Sequence, residues 1–220
     1  MKVSANLSIS RYEWTQQCLR ELLPIAPTSI VSDIGAGGGE LRSLTEAAGG
    51  KWQGFDQAPK LSDIRHWDLD QPAPTESQSA GVVLLLDVIE HLNNPWLAVR
   101  HLADTLLPGG FLILTTPNPR WSRSRFYALD KGNLACFTQS DLDLNHHVFT
   151  PWPHIVEKLL NDTGFSIGTY VTLDGPTSWP GSPYNLRFPV RCAFALLNMG
   201  IERRDPTACG MSYGIMAQKN

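Results

Sequence analysis

The sequence predicts an α/β fold, in which a mostly parallel sheet carries helices on both faces. Short apolar segments alternate with segments of helical periodicity along most of the 220 residues, which is the pattern of repeated strand–helix units. The apolar run at residues 82–86 contains no polar residue, as expected of a strand that is buried on both faces. The composition, with 42% hydrophobic and 18% charged residues, is that of a folded domain.

The predicted elements can be taken in order. Apolar residues at near-helical spacing, among them Trp14, Cys18 and Leu22, predict an N-terminal helix within residues 8–24. Residues 30–48 combine a β-branched run, a glycine cluster and a helix-compatible stretch, which predicts strand, turn and helix. Further strands are predicted at residues 52–56, 64–67, 81–86, 111–116, 165–173 and 211–218, and further helices at residues 94–107 and 150–164, the last with Thr150 as N-cap and Pro151 as its first residue.

Two long stretches interrupt this alternation, at residues 117–149 and 174–209. They are rich in aromatic residues, proline and arginine, and we predict that they are lid insertions in one domain spanning residues 1–220. The alternative is that they only cover a sheet edge. Residues 188–201 are apolar and could form an amphipathic helix against a partner or a membrane surface, although core packing is the simpler interpretation.

Charge and cysteine content limit the classes of partner and the compartment. The formal net charge of −3 argues against a protein that depends on nucleic-acid backbones. The first ten residues lack an apolar core segment and the longest purely apolar run is short, so we expect no signal peptide, no membrane span and a cytoplasmic location. No feature of the sequence predicts an oligomeric state. The cysteines are scattered and are expected to be reduced: Cys18, Cys136, Cys192 and Cys209.

A glycine-rich loop, running from Asp33 to Gly39, follows the first strong strand. Glycines at this point allow a ligand to approach the backbone closely. The dinucleotide fingerprint G-x-G-x-x-G would require a third glycine where Glu40 stands, and a carboxylate suits a pyrophosphate poorly there. An NAD(P)-binding oxidoreductase is therefore the less favoured alternative. The acid at the strand end, Asp33, fits a cationic ligand better.

Two more acids follow the next predicted strands. Asp56 ends its strand, where a carboxylate can accept hydrogen bonds from two ribose hydroxyls. Asp68 follows the next strand, where it could bind the exocyclic amine of adenine while Leu69 supplies a backbone N–H. Asp56 does not separate the two alternatives, because dinucleotide enzymes place the same acid at a similar distance. Asp68 discriminates better, although alone it would be an ordinary loop acid.

Taken together, these motifs resemble those of the class I S-adenosylmethionine (SAM)-dependent methyltransferases over about residues 30–173, and the segment from Gln139 onward resembles the closing helix and strand of that family. The resemblance implies a three-layer, Rossmann-like fold with seven strands, the last of them antiparallel. It also implies SAM as the cofactor and a methyl acceptor as the substrate. The motifs are Asp33-x-Gly35-x-Gly37-x-Gly39, Asp56, Asp68-Leu69, the stretch VLLLDVIEHL at residues 83–92, and Leu107-Pro108-Gly109-Gly110. The expected SAM-binding residues are Asp33, Gly35, Gly37, Asp56, Asp68, Leu69 and Asp87.

The candidate catalytic residues are Glu90, His91 and His147. If Asp87 began a helical turn, Asp87, Glu90 and His91 would share one face at the SAM cleft. We expect metal-free transfer, in which His91 or His147 acts as general base. The alternative is a divalent metal held by Asp87, Glu90, His91 and His147. Two subfamilies with an acid-x-x-Glu-His stretch use such a metal, the ubiquinone-pathway catechol O-methyltransferases and the small-RNA 3′-end 2′-O-methyltransferases, and mixed oxygen and nitrogen ligands would favour Mn, Fe or Zn.

The expected reaction is methyl transfer to a hydroxyl oxygen of a small-molecule acceptor. The acidic net charge and the short aromatic insertions favour a small acceptor over a macromolecule. The alternatives in the metal-dependent case are a catechol or the 3′-end ribose of an RNA. A segment that mixes aromatic and basic side chains could stack an aromatic substrate or bind a phosphate or carboxylate, or could simply pack as a lid: Trp121, Arg123, Arg125, Phe126 and Tyr127.

Overall fold

A computed structural model of the chain describes residues 5–6, 8–175 and 188–220. Within these ranges, eight strands form one sheet. The strands are β1 (Ala5–Asn6), β2 (Ile30–Ile34), β3 (Lys51–Asp56), β4 (Ile64–His66), β5 (Ala80–Leu86), β6 (Leu106–Pro117), β7 (Phe165–Leu173) and β8 (Ser212–Lys219). Their order across the sheet is β1-β7-β8-β6-β5-β2-β3-β4.

Every neighbouring pair in the sheet is parallel except the two that involve β8, which runs antiparallel to both β6 and β7. The seven predicted strands and the reversal of the last one are therefore confirmed. The additional strand β1 pairs with the end of β7, at Val171 and Thr172. A strand of two residues is too short to show periodicity, so it could not be predicted from the sequence pattern.

The helices alternate with the strands as predicted. The first, α1 (Arg11–Leu22), lies within the predicted range and begins at a capping box, in which Ser10 accepts from the Glu13 backbone N–H while the Glu13 carboxylate accepts from that of Ser10. The others are α2 (Arg42–Ala47), α3 (Pro95–Thr105), α4 (Ser122–Lys131), α5 (Gln139–Asn145), α6 (Pro153–Asp162) and α7 (Phe188–Arg204), with short 3₁₀ helices at Ile89–His91 and Pro206–Ala208.

Two predicted helix ends were wrong. The helix α3 ends at Thr105, because the backbone of Leu106 already pairs with Ala80 in the sheet. The helix α6 begins at Pro153 with Trp152 at its N-cap, not at Thr150. The Tyr213 hydroxyl donates to the carbonyl of Pro151 at 2.8 Å, which holds that residue outside the helix.

The sheet is covered on both faces, which gives the predicted three layers. On one face α1 packs through Trp14 and Leu19 onto strand residues such as Val31. On the other face α3 and α6 pack through Leu102 and Leu159. Burial of these apolar side chains is the main force that holds the layers together.

The two predicted insertions contain helices of their own. Residues 117–149 include α4 and α5, and residues 174–209 include α7, although residues 176–187 of that stretch lie outside the described part of the chain. The helix predicted at residues 188–201 is present and extends to Arg204. Of the described helices, none is long and apolar enough to cross a membrane.

Candidate active site

The carboxyl ends of four strands meet at one edge of the sheet. Strands β5, β2, β3 and β4 are parallel neighbours, so the loops that follow them lie side by side. This edge also includes the point where the chain, having run outward from β2 through β3 to β4, returns to β5. Ligands of open α/β sheets bind at such switch points. The predicted cofactor residues all lie at the carboxyl ends of these four strands or in the loops that follow them: Asp33, Gly35, Gly37, Asp56, Asp68, Leu69 and Asp87.

The glycine loop contains three left-handed residues. The φ angles are +73° at Gly35, +56° at Gly37 and +79° at Gly39, in a region that costs other residues free energy. A Cβ atom added at Gly35 would lie 2.5 Å from Cγ2 of Val88, on the segment after β5. No side chain fits at that position, so the loop lies directly against the neighbouring strand end.

Asp56 joins the glycine loop to the end of β3. Its Oδ2 accepts from the Gly37 backbone N–H at 2.9 Å, and its Oδ1 accepts from the Ala58 N–H at 2.8 Å. Each carboxylate oxygen can accept a second hydrogen bond. Asp56 can therefore receive two ribose hydroxyls while it holds the loop, as the sequence predicts.

Asp33 is buried and borders a small cleft of about 50 Å³, which is also lined by Tyr12, Gly35 and Glu40. Its Oδ2 accepts from the Trp52 indole N–H at 3.0 Å, and burial raises the pKa of Asp33 to about 6. A cation in the cleft would lower that pKa again. The cleft is much smaller than a nucleoside, but Tyr12 on its rim is an exposed side chain whose rotation can widen it.

Glu40 contacts the backbone of the glycine loop directly. Its Oε2 accepts from the Gly38 N–H at 3.0 Å. A pyrophosphate bound in the manner of a dinucleotide would need such backbone donors, and the carboxylate both occupies one and repels the ligand. The contact supports the preference for a cationic ligand over NAD(P).

Asp68 and Leu69 lie on the outer side of this edge. The register Asp56↔His66 places the end of β4 beside the end of β3, so Asp68 follows close to Asp56. The Oδ1 of Asp68 accepts from the Asp70 N–H at 3.0 Å, and the Leu69 carbonyl accepts from Nδ1 of His101 at 2.9 Å. Their contacts with adenine stay a prediction.

Asp87 differs most from its prediction. Its φ of +53° is left-handed, so it does not begin the turn that contains Glu90 and His91. Its Oδ2 instead forms an ion pair with Nε of Arg11 at 2.7 Å, and the same guanidinium reaches Asp174 at 3.7 Å. The condition under which Asp87 would share a helical face with Glu90 and His91 is therefore not met. The sequence did not identify Arg11 as a site residue, because no local motif connects it with the Asp87 carboxylate 76 positions away.

Glu90 is almost completely buried, with 1% of its surface exposed. The Thr116 hydroxyl donates to its Oε2 at 2.9 Å. Burial, together with the nearby carboxylate of Asp87, raises the pKa of Glu90 to about 8. Near neutral pH the side chain is therefore mostly a protonated acid.

His91 and His147 form an edge-to-face pair, with ring centroids 4.9 Å apart. Nδ1 of His147 lies 2.7 Å from the carbonyl oxygen of Cys136, which can only accept, so Nδ1 carries the hydrogen and Nε2 has a free lone pair. Burial, and then the positive charge that His147 can carry, lower the pKa of His91. Potential metal-ligand atoms of Glu90, His91 and His147 all lie within 4.8 Å of one another, a group that does not include Asp87.

Comparisons with known proteins identify the family and the fold. A family model described as a methyltransferase domain matches residues 8–169. The ubiquinone biosynthesis O-methyltransferase of Xanthomonas campestris pv. campestris (strain B100) is 29% identical over 106 residues, covering 42% of this chain and 44% of that protein. The match thus spans less than half the length of this curated relative.

Solved structures with the same fold include two SAM-dependent methyltransferases. A SAM-dependent methyltransferase from Archaeoglobus fulgidus superposes with a TM-score of 0.58 and 18% identity over 94% of both chains. A SAM-dependent methyltransferase from Mesorhizobium loti superposes with a TM-score of 0.54 and 17% identity, over 94% of this chain and 98% of that one. Since the family model covers well over half of the sequence and these structures share its fold, the chain belongs to the methyltransferase domain family and has the Rossmann-like fold of the class I SAM-dependent methyltransferases.

Proposed function

We propose that the protein transfers a methyl group from SAM to a hydroxyl oxygen of a small-molecule acceptor. The observation that carries the proposal is the free Nε2 lone pair of His147, held beside His91 and Glu90 at the end of the sheet that also bears the glycine loop. A neutral imidazole so oriented can accept a proton from a hydroxyl group. The partial match to an O-methyltransferase supports oxygen as the acceptor atom.

The residues around the cleft fit SAM by their chemistry. Asp33 is a buried carboxylate that a cationic group would stabilise in its charged form. Asp56 keeps accepting capacity for a ribose diol, and the left-handed Gly35 brings the loop directly against Val88 just after β5. When bound, SAM supplies an electrophilic methyl group.

The chain's own groups would position the acceptor and take its proton. His147 is fixed by the Cys136 carbonyl and faces His91, whose pKa is lowered mainly by burial. Either imidazole can act as the base in its neutral form. Glu90, mostly protonated, can donate a hydrogen bond to the acceptor oxygen or line the cleft.

Transfer of radiolabelled methyl groups from SAM to a panel of phenols, sugars and carboxylates tests the proposal. Label in at least one phenol or sugar, lost in His147→Ala and retained in the exposed-residue control His146→Ala, is the expected result. Labelling of RNA alone would contradict a small-molecule acceptor.

We also propose a cytoplasmic location, which is consistent with four unpaired cysteines.

A second candidate is metal-assisted transfer, which the grouping of Glu90, His91 and His147 favours. One carboxylate and two imidazoles suit Mn, Fe or Zn better than Mg. The Nδ1–H of His147, bonded to a backbone carbonyl, is the usual orientation of a metal-binding imidazole. In this case the acceptor would be a catechol or a ribose whose hydroxyl pKa the ion lowers.

Chelation distinguishes the two candidates. If transfer is metal-free, enzyme treated with EDTA keeps its activity, and its rate rises with pH through the titration of an imidazole. If transfer depends on a metal, EDTA abolishes activity, Mn or a similar ion restores it, and Glu90→Ala fails even at high metal concentration. The sequence-based expectation is the metal-free outcome.

A further inference from the structure

We infer that a pocket beside α4 binds the methyl acceptor and that Arg120 binds an anionic group, a carboxylate or a phosphate, on that acceptor. The pocket has a volume of about 540 Å³, within the range of small-molecule sites. Its walls are mostly apolar, with Pro119, Ala128, Leu134 and Trp152 among the residues that line it. A pocket of this kind favours a ligand with a flat or branched apolar body.

The charges around the pocket leave one guanidinium available. Arg125 forms an ion pair with Asp205, and both line the pocket. Arg123, two residues earlier in α4, lies against the rings of Trp121 and Tyr127, with its Cζ 5.6 Å and 5.7 Å from their centroids. These two arginines, which the sequence suggested as anion-binding residues, are thus already engaged.

Arg120 has no such partner. Its side chain reaches Oγ1 of Thr207 at 3.5 Å, and within the described ranges it forms no ion pair with a carboxylate. The residue is half-buried beside an apolar wall, where a charged group loses hydration and gains most from an ionic partner. An oxyanion on the ligand would supply that partner in a bidentate geometry that suits arginine.

Two chain segments connect the pocket to the candidate catalytic groups. Thr116 donates to Glu90, and Arg120 follows four residues later, which limits their backbone separation to about 14 Å. On the other side, the Phe149 N–H donates to the Glu90 carbonyl at 3.0 Å, and Trp152 follows three residues later. In the inferred complex the acceptor lies along these segments, with its anionic end at Arg120 and its hydroxyl toward the histidines.

The inference rests on the proposed function for the identity of the ligand as the acceptor, so its test measures binding and not methyl transfer. Calorimetric titrations of the full chain, with and without S-adenosylhomocysteine, compare three probes: 2-naphthol, 6-hydroxy-2-naphthoate and 1-naphthyl phosphate. The first lacks an anionic group, and the other two distinguish a carboxylate from a phosphate. The variants are Arg120→Gln, the charge-retaining Arg120→Lys, and Arg123→Gln as the matched control.

The wild-type protein is expected to bind at least one anionic probe tenfold or more tightly than 2-naphthol. Arg120→Gln should remove that preference and leave the affinity for 2-naphthol unchanged, Arg120→Lys should restore part of it, and Arg123→Gln should keep it. Equal affinity for charged and neutral probes, no binding of any anionic probe, or a preference that survives in a folded Arg120→Gln protein would each overturn the inference. A chain that binds these probes but not S-adenosylhomocysteine would contradict the proposed function alone.

Discussion

Replacing Glu90 with glutamine should make the protein more stable at alkaline pH. Glu90 is buried and its pKa is raised to about 8, so the folded protein keeps a proton there that the unfolded chain releases near pH 4.5. The contribution of Glu90 to stability is therefore present below the unfolded pKa and is lost as the pH rises through the folded pKa. Glutamine has nearly the same shape, stays neutral and can still accept from Thr116.

The size of the effect follows from the two pKa values. A rise from 4.5 to about 8 corresponds to roughly 5 kcal/mol over the full titration. Between about pH 5.5 and about pH 8.5, the free energy of unfolding of the wild-type protein should fall by roughly 3 kcal/mol relative to Glu90→Gln. Rearrangement or water entry around the charged carboxylate would reduce this difference.

Urea unfolding at several pH values measures the difference directly. The experiments are done in EDTA, because a bound cation would favour the ionised form of Glu90. Glu21→Gln, on the exposed surface of α1, is the matched control and should follow the wild-type curve. A difference between the wild-type protein and Glu90→Gln that stays constant across this pH window would refute the assignment of Glu90 as a buried, protonated acid.

Three further predictions concern the cleft. Asp56→Ala should weaken binding of S-adenosylhomocysteine by about 1.5–3 kcal/mol, the size of hydrogen bonds to a charged group; unchanged affinity in calorimetry would remove Asp56 from the site. Gly35→Ala should cost more stability in thermal unfolding than Gly132→Ala. The φ values of +73° and +71° impose a similar backbone strain of about 1–2 kcal/mol, but only the Cβ at position 35 meets another side chain, Val88, at 2.5 Å. Equal losses of stability would show that Val88 moves aside freely. His147→Gln should lower kcat by about 10²–10⁴-fold and abolish the rise of the pH–rate profile through the imidazole range; a variant that retains both rate and profile would exclude His147 as the base.

Much of the fold could be predicted from the sequence because its strands are short, apolar and clearly bounded. The carboxyl ends of these strands carry Asp33, Asp56 and Asp68, so the position of the cleft followed from the alternation of strands and helices alone. The two histidines were also identified as candidates, although only the structure brings their rings to 4.9 Å.

The parts that could not be predicted depend on contacts between distant residues. The ion pair of Arg11 with Asp87 joins the start of α1 to the end of β5, and no local pattern records it. The tautomer of His147 depends on the backbone carbonyl of Cys136, a residue with φ of +67°. The position of a backbone carbonyl cannot be predicted from residue type. The start of α6 was misplaced because Pro151 and Pro153 are both suitable first residues, and the Tyr213 hydroxyl bond to Pro151 decides between them.

The central claim is that the glycine loop and the acids around it bind SAM and not a dinucleotide. Parallel calorimetric titrations of the purified protein with S-adenosylhomocysteine and with NADH test this claim most directly. We expect S-adenosylhomocysteine to bind at one site per chain, with an affinity that falls in Asp56→Ala, and NADH to give no binding heat, because Glu40 occupies the Gly38 N–H that a pyrophosphate would need. Saturable binding of NADH, with none of S-adenosylhomocysteine, would contradict the account.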